Sequence, residues 1–457
     1  MTNKKTAIIL VHGIGEQRPM DTLWSFLDAA WLDDRDLVDP AKGKVVYSKP
    51  GGTADNHEMR RVTTRGSRYE DRQFDFYEYY WAHMMRGNTL ADVKSWLISL
   101  FLRPKSALPP GYSGHWIAGW ALTALAMIAY LAWLRWSDTL GWLTGVAVFL
   151  VPFPTGLILS KAIPIVGDAA RYLRPEPRNV EARQSIRAGG IALVHQLHES
   201  GEYDRIVLVG HSLGSLIAYD ILTHAWAQVD KGALAAQHAA GSQLMKRLTE
   251  LETASANLFE PEKVDGRLKP ATQCANFQAL QSSYRNAQRA YRRALAAQNG
   301  PLWLVSDMIT LGSPLGKADL LLARSEDEFD RRKDRREFPT CPPVFEYWGQ
   351  AVKQFSYPRG GSSRIPHHGS PFAPTVWSNV YFPDKLLYLG DPIAGAVSPQ
   401  FGPGVSDVRL PNRGIRFQHL DYWRAFDDKN GHFTIAALRG ALNLRDQNEP
   451  VESGNSP

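Results

Sequence analysis

One stretch constrains this chain more than any other. Arg205-Ile-Val-Leu-Val-Gly210-His211-Ser212-Leu213-Gly214-Ser215 runs an apolar segment, Ile206 to Val209, into Gly-x-Ser-x-Gly, and the helix-like segment Leu216 to Leu222 follows. The order is strand, sharp turn, helix. The two glycines allow a turn that residues carrying a Cβ would resist, and such a turn lifts the Ser212 hydroxyl clear of the sheet. The Leu213 amide, at the start of the helix, then faces the place where negative charge would gather on a carbonyl attacked by Ser212. A bare Gly-x-Ser-x-Gly also arises by chance; the flanking strand and helix give this one its weight.

The chain has 457 residues, enough for one large domain with insertions or for two domains. A net charge of +6 is mild at this size, and no stretch reads as a nucleic-acid-binding module. The basic excess fits solvation and attraction to an anionic membrane surface. Cys274 and Cys341 are the only cysteines, which makes neither a disulfide framework nor a zinc site. Met1 to Lys5 leads directly into a strand without a secretory pattern, so a reducing cytosolic setting is expected for the catalytic part.

Thr6 to Val11 reads as a buried strand that ends in His12-Gly13-Ile14-Gly15. Its glycines let backbone amides approach a ligand, and Gly13, Ile14 and Gly15 are the candidates; His12 is read as structural. Met20 to Leu32 reads as a helix with Asp21 as its cap, and His57–Arg65 and Gln73–Trp81 as two further strands. Asp75 and Glu78 are read as filling space at a strand end rather than lining a site.

Two uncharged runs follow a helical stretch at Leu90–Phe101: Trp116 to Leu134 and Thr139 to Ser160. Each is about 20 residues, the length of helix that covers a bilayer core. Trp116, Trp120, Trp133, Trp136 and Trp142 lie mostly toward the ends of the runs, and Arg103, Lys105, Lys161 and Arg171 lie outside them. The pattern predicts a transmembrane hairpin with both ends in the cytosol, placing the rest of the chain on the cytosolic side of the inner membrane.

After the helix that follows Ser212, Asp230 to Gly300 reads as a helical insertion. Phe277, Leu280, Tyr284, Ala287, Tyr291 and Ala294 form a heptad-like seam, with Arg285, Arg289, Arg292 and Arg293 on other faces. Those arginines are read as a solvated basic face, with a lid or a headgroup contact as the second reading. Trp303 to Leu311 and Thr375 to Tyr381 are further strands. The loop after the second carries Asp384 and Gly390-Asp391-Pro392; His419-Leu-Asp-Tyr422-Trp423 and a closing helix from His432 to Leu444 come next.

Taken together, strand–His12-Gly13, strand–Gly-His-Ser212-Leu-Gly–helix, strand–Asp391-Pro and His419-x-x-Tyr-Trp resemble the α/β-hydrolase superfamily, and within it the bacterial lipase and esterase-like hydrolases. A more distant likeness is to intracellular phospholipases A1. The resemblance covers the first strand and most of the chain from Gly167 on, not the apolar hairpin or the 230–300 insertion. It implies a mostly parallel sheet flanked by helices, divided here as core (1–85), amphipathic helix and hairpin (86–166), core with the serine turn (167–229), helical insertion (230–300), core with acid and base loops (301–445) and a disordered tail (446–457).

The chemistry follows from the residues. A serine hydroxyl needs a base, and a base needs an acid to fix its tautomer. His419 is the first candidate for the base and His432 the second; Asp391 is the first candidate for the acid and Asp384 the second. Leu213 with Gly13 or Ile14 would hold the oxyanion through backbone amides. The expectation is a membrane-associated hydrolase that cleaves lipid-like carboxylic esters through an acyl-enzyme, without metal or organic cofactor. An acyltransferase or thioesterase would use the same residues. A non-catalytic membrane scaffold would keep Ser212 but place no base within reach.

Overall fold

The computed structural model describes residues 4–14, 18–39, 41, 46–50, 60–65, 72–85, 172–173, 177–259, 262–264, 267–269, 276–298, 302–347, 353–359, 363–383, 390–391, 393–412, 418–424 and 429–449, with five single positions between 117 and 128. The chain forms two compact units. One gathers Met1–Trp81, Gln184–Lys317 and Arg331–Pro457; the other gathers Ala82–Arg183 and Ala318–Asp330.

The first unit is built on an eight-stranded sheet. Its strands are β1 (Lys4–Val11), β2 (Val46–Pro50), β3 (Arg60–Thr64), β4 (Arg72–Tyr79), β5 (Arg205–His211), β6 (Val305–Leu311), β7 (Val376–Tyr381) and β8 (Ser406–Arg409). Across the sheet the order is β8-β7-β6-β5-β1-β4-β3-β2. The six strands from β8 to β4 run parallel, and the β2–β3 hairpin closes one edge antiparallel. The central strands β5 and β6 are buried at every position, as their near-continuous apolar runs require in a sheet covered on both faces. The polar outer strands β2 and β8 occupy the two edges, where one side needs no partner.

One face carries Ile8, Leu10, Phe74, Phe76, Val207, Val209, Ile309 and Leu311. Against it pack α1 (Asp21–Leu27), the π turn that continues it (Asp28–Leu32) and the closing helix α7, Lys429–Leu442. Asp21 is the first residue of α1 rather than its cap. Met20 takes the cap position with φ of 75°, and its amide donates to Glu78 Oε2 at 2.5 Å. On the other face lie α2 (Val180–Glu199) and α3 (Leu213–Ala227). The Tyr79 hydroxyl reaches the Ile186 carbonyl at 2.5 Å, and Gly190 leaves room for the tip of Ile221.

Between α3 and β6 lie α4 (Lys231–Gln237), α5 (Gln243–Asn257) and α6 (Phe277–Ala296). Leu244, Leu248 and Leu251 of α5, with Tyr284, Tyr291 and Leu295 of α6, are buried. Three of the four arginines of α6 do not face solvent; the Arg293 side chain is 39% exposed. Arg285, Arg289 and Arg292 are buried, at 5%, 3% and 3% exposure. Arg285 and Arg289 pair with Glu449 at 2.5 and 3.2 Å, and Arg292 with Asp446 at 3.0 Å. Asp446 to Glu449, expected in a disordered tail, are therefore docked along α6. Buried Arg205, at the start of β5, completes this array by pairing with Asp307 at 2.5 Å.

Among the described residues no helix is long and apolar enough to cross a membrane. The Leu90–Phe101 stretch lies outside those residues, as do the two uncharged runs save for Ile117, Trp120, Ala121, Ala124 and Ile128. These five are helical and exposed.

Candidate functional site

The site lies at the carboxyl ends of the parallel strands, where loops from successive strands converge. At the end of β5 the chain turns sharply into α3, and Ser212 sits at the turn with φ 55° and ψ −128°. That conformation is costly for a residue with a Cβ and is held by what surrounds it. The glycines explain how it is tolerated. A Cβ at Gly210 would lie 2.5 Å from the Gly214 carbonyl oxygen, and one at Gly214 would lie 2.2 Å from that of Val11. Strand β1 therefore passes directly over the turn, which brings Gly13 against Ser212.

Three side chains form one hydrogen-bonded line. His419 Nε2 is 2.7 Å from Ser212 Oγ, and His419 Nδ1 is 2.8 Å from Asp391 Oδ2. With Asp391 ionised, Nδ1 carries the proton and donates to it, leaving Nε2 to accept from the serine. All three are buried. Asp391 follows β7 and His419 follows β8. Of the alternatives, Asp384 lies outside the described residues. His432 falls within α7, with its side chain also outside them.

Asp391 is saturated with donors. Its Oδ1 accepts from the amides of Ile393 and Ala394 at 3.0 and 3.1 Å. Its Oδ2 accepts from His419 and also from the Tyr422 hydroxyl at 2.7 Å. Burial pushes this carboxyl up, but His419, Tyr422 and the Ala394 amide together hold it below the usual carboxylate range. Burial, and then the Asp391 charge, push Tyr422 well above the ordinary phenol range, so it stays a donor.

Tyr422 has no role in the expectations from sequence, although it stands three residues after the base. Gly312 gains one as well. It follows β6 with φ of 60°, and a Cβ there would lie 2.6 Å from the Tyr422 ring and 3.1 Å from Asp391 Oδ2. His211 is the third residue that sequence reasoning missed. Its Nε2 donates to the His419 carbonyl at 2.9 Å, and its ring stands edge-on to Trp423 at 4.8 Å. Burial drives its pKa down to about 3, so it is neutral. Its adjacency to Ser212 was the only available signal.

No family model, curated protein or solved structure matches this chain. The site is therefore read on its own geometry. Among the described residues no group of three or more His, Cys, Asp or Glu side chains could hold a metal ion. What the arrangement can do is proton transfer from Ser212 Oγ to His419, with Asp391 bearing on the imidazolium that forms. Leu213 follows Ser212 at the start of α3, and Gly13, the residue before Ile14, packs against Ser212. A Cβ on Gly13 would lie 3.0 Å from Ser212 Cβ. Gly15 lies outside the described residues.

Proposed function

We propose that this chain is a serine hydrolase of the α/β-hydrolase fold that cleaves carboxylic esters by acyl transfer. The observation that carries the reading is the continuous line Ser212–His419–Asp391, with links of 2.7 and 2.8 Å. The scaffold alternative requires a serine without a base in reach, and this serine has one. In the proposed reaction Ser212 Oγ attacks the ester carbonyl carbon while its proton passes to His419 Nε2. The carbonyl oxygen becomes an oxyanion facing the Leu213 and Ile14 amides. The tetrahedral species collapses, the alcohol leaves with the proton from His419, and the acyl group stays on Ser212. Water, deprotonated by the same histidine, then attacks the acyl carbon and releases the acid.

Lipid-like esters at a membrane are the substrate class we infer. Leu420, next to the base, is 52% exposed; Trp24 on α1 and Phe433 on α7 are 37% and 62% exposed. Both helices have their amino ends on the same side of the sheet as the triad, because α1 follows the end of β1 and α7 reaches the start of β5 with its last turn, where the Leu442 carbonyl accepts from Arg205. The uncharged runs and the exposed apolar positions Ile117, Trp120 and Ile128 support membrane attachment.

The test is labelling with a fluorophosphonate, which reports an activated serine without a known substrate. Wild type should label, and Ser212→Ala and His419→Ala should not. Absence of labelling in wild-type protein, in detergent and in liposomes alike, would remove the hydrolase reading. Extraction of the protein from membranes by a carbonate wash would remove the hairpin.

A further inference from the structure

His12 occupies the junction between β1 and the loop that carries the Ile14 amide. It is fully buried. Its ring lies flat against Trp81, with centroids 5.1 Å apart and planes 6° from parallel. The Trp81 amide donates to His12 Nε2 at 3.3 Å, and the Trp81 indole donates to the His12 carbonyl at 3.0 Å. A nitrogen that accepts from an amide carries no proton. The single proton of the neutral ring is therefore on Nδ1, which lies 2.8 Å from the Gly13 carbonyl oxygen and donates to it.

That bond fixes more than a carbonyl. In a planar trans peptide the C=O of one residue and the N–H of the next point in opposite directions. Holding the Gly13 oxygen on the imidazole side turns the Ile14 N–H to the opposite side. Among the described residues neither the Ile14 nor the Leu213 amide donates to another group. Gly13 itself packs against Ser212, so this peptide begins beside that side chain.

We propose that His12 is a positioning residue that presets the oxyanion site: with Trp81 behind it, it holds the Gly13–Ile14 peptide in the one orientation that aims the Ile14 amide at the reacting carbonyl. Without that bond the peptide can flip, presenting a carbonyl oxygen where a donor is required. The inference rests on the hydrolase reading and selects Ile14 over Gly13 as the second donor. His12 touches no reacting atom and acts through the backbone.

The experiment compares His12→Phe, which keeps the ring against Trp81 but loses the donor, with His12→Asn, whose amide can still donate to Gly13. Substrates would be short-chain p-nitrophenyl esters, and a boronic acid would serve as transition-state mimic. Loss of one oxyanion donor lowers turnover on the order of 10²–10³-fold. His12→Phe should lower kcat by that factor with KM little changed, and should weaken boronic acid binding in proportion; His12→Asn should recover part of both. A folded His12→Phe protein with unaltered kcat, or a change confined to KM, would overturn the proposal. Imidazole ¹⁵N NMR reads the brace without turnover and remains available if His12→Phe does not fold. Protonated Nδ1 and bare Nε2 are expected for His12, and the reverse tautomer would also overturn it. Wild-type protein that fails to label with fluorophosphonate would instead remove the parent reading, whatever the tautomer.

Discussion

The Tyr422 hydroxyl donates to Asp391 on Oδ2, the same oxygen that accepts from His419 Nδ1. One oxygen of a buried carboxylate thus serves both His419 and a phenol three residues after it in sequence. The phenol stabilises the charged carboxylate and restrains its rotation about the bond to the imidazole. Removing the hydroxyl in Tyr422→Phe leaves the ring packing in place. A hydrogen bond to a charged group contributes about 2 kcal/mol, so fluorophosphonate labelling should slow roughly 10–30-fold. Asp391, less stabilised as an anion, should titrate higher than in the wild type. An unchanged labelling rate would mean that the phenol only fills space.

Ser212 stores backbone strain at φ 55°. A left-handed residue with a Cβ at such a site costs on the order of 1–3 kcal/mol, and glycine relieves most of it. Ser212→Gly should therefore melt higher than Ser212→Ala, although neither retains labelling. Calorimetry on the two inactive variants separates strain from chemistry; equal melting temperatures would show that the turn is relaxed.

Acid should unfold this protein early. Burial pushes His198, His211, His238 and His367 down to about 4, 3, 4 and 3. In the unfolded chain they titrate near 6.5, so as pH falls the unfolded chain takes up protons first. The associated stability is fully present above about pH 6.5 and is lost as pH falls toward 3–4, at about 1.4 kcal/mol per histidine for each pH unit crossed. The melting temperature should drop steeply between pH 6.5 and 4. A flat profile over that range would contradict the burial of these rings.

Glu78 works in the opposite direction. Burial raises its carboxyl to about 7, and Oε1 has no hydrogen-bond partner among the described residues. Between roughly pH 4.5 and 7 the folded protein keeps a proton that the unfolded chain has released, so stability falls as pH rises through this window. Above it the full cost is about 3 kcal/mol. Glu78→Gln keeps an acceptor for the Met20 amide and removes the charge. It should raise the melting temperature at pH 8 and leave it nearly unchanged at pH 4. A loss of stability at pH 8 would show that the Met20 contact needs the carboxylate.

The parts of this molecule that could be read in advance are those whose cause is local. The apolar runs of β1 and β5, the glycine turn at Ser212 and the loop positions of Asp391 and His419 follow from short-range patterns. The inward arginines of α6 did not, for a physical reason. Arg285, Arg289 and Arg292 recur at helical spacing, as a solvated stripe does, and their partners Glu449 and Asp446 lie 164 and 154 residues away. The edge strands Val46–Pro50 and Ser406–Arg409 were also missed, since a strand with one free side needs little apolar patterning. Tyr422 was visible as a residue, but its role depends on Gly312, whose missing side chain makes the space it fills.

The docking of Asp446 and Glu449 on α6 also has a consequence for the order of events during synthesis. Arg205, Arg285, Arg289 and Arg292 emerge from the ribosome long before the carboxylates that meet them. Until Asp446 and Glu449 arrive, burying the cations of α6 would leave charge uncompensated. The nascent chain can form the serine turn early. It cannot bury Arg285 and Arg292 against their carboxylates until Glu449 and Asp446, 164 and 154 residues further on, have been synthesised.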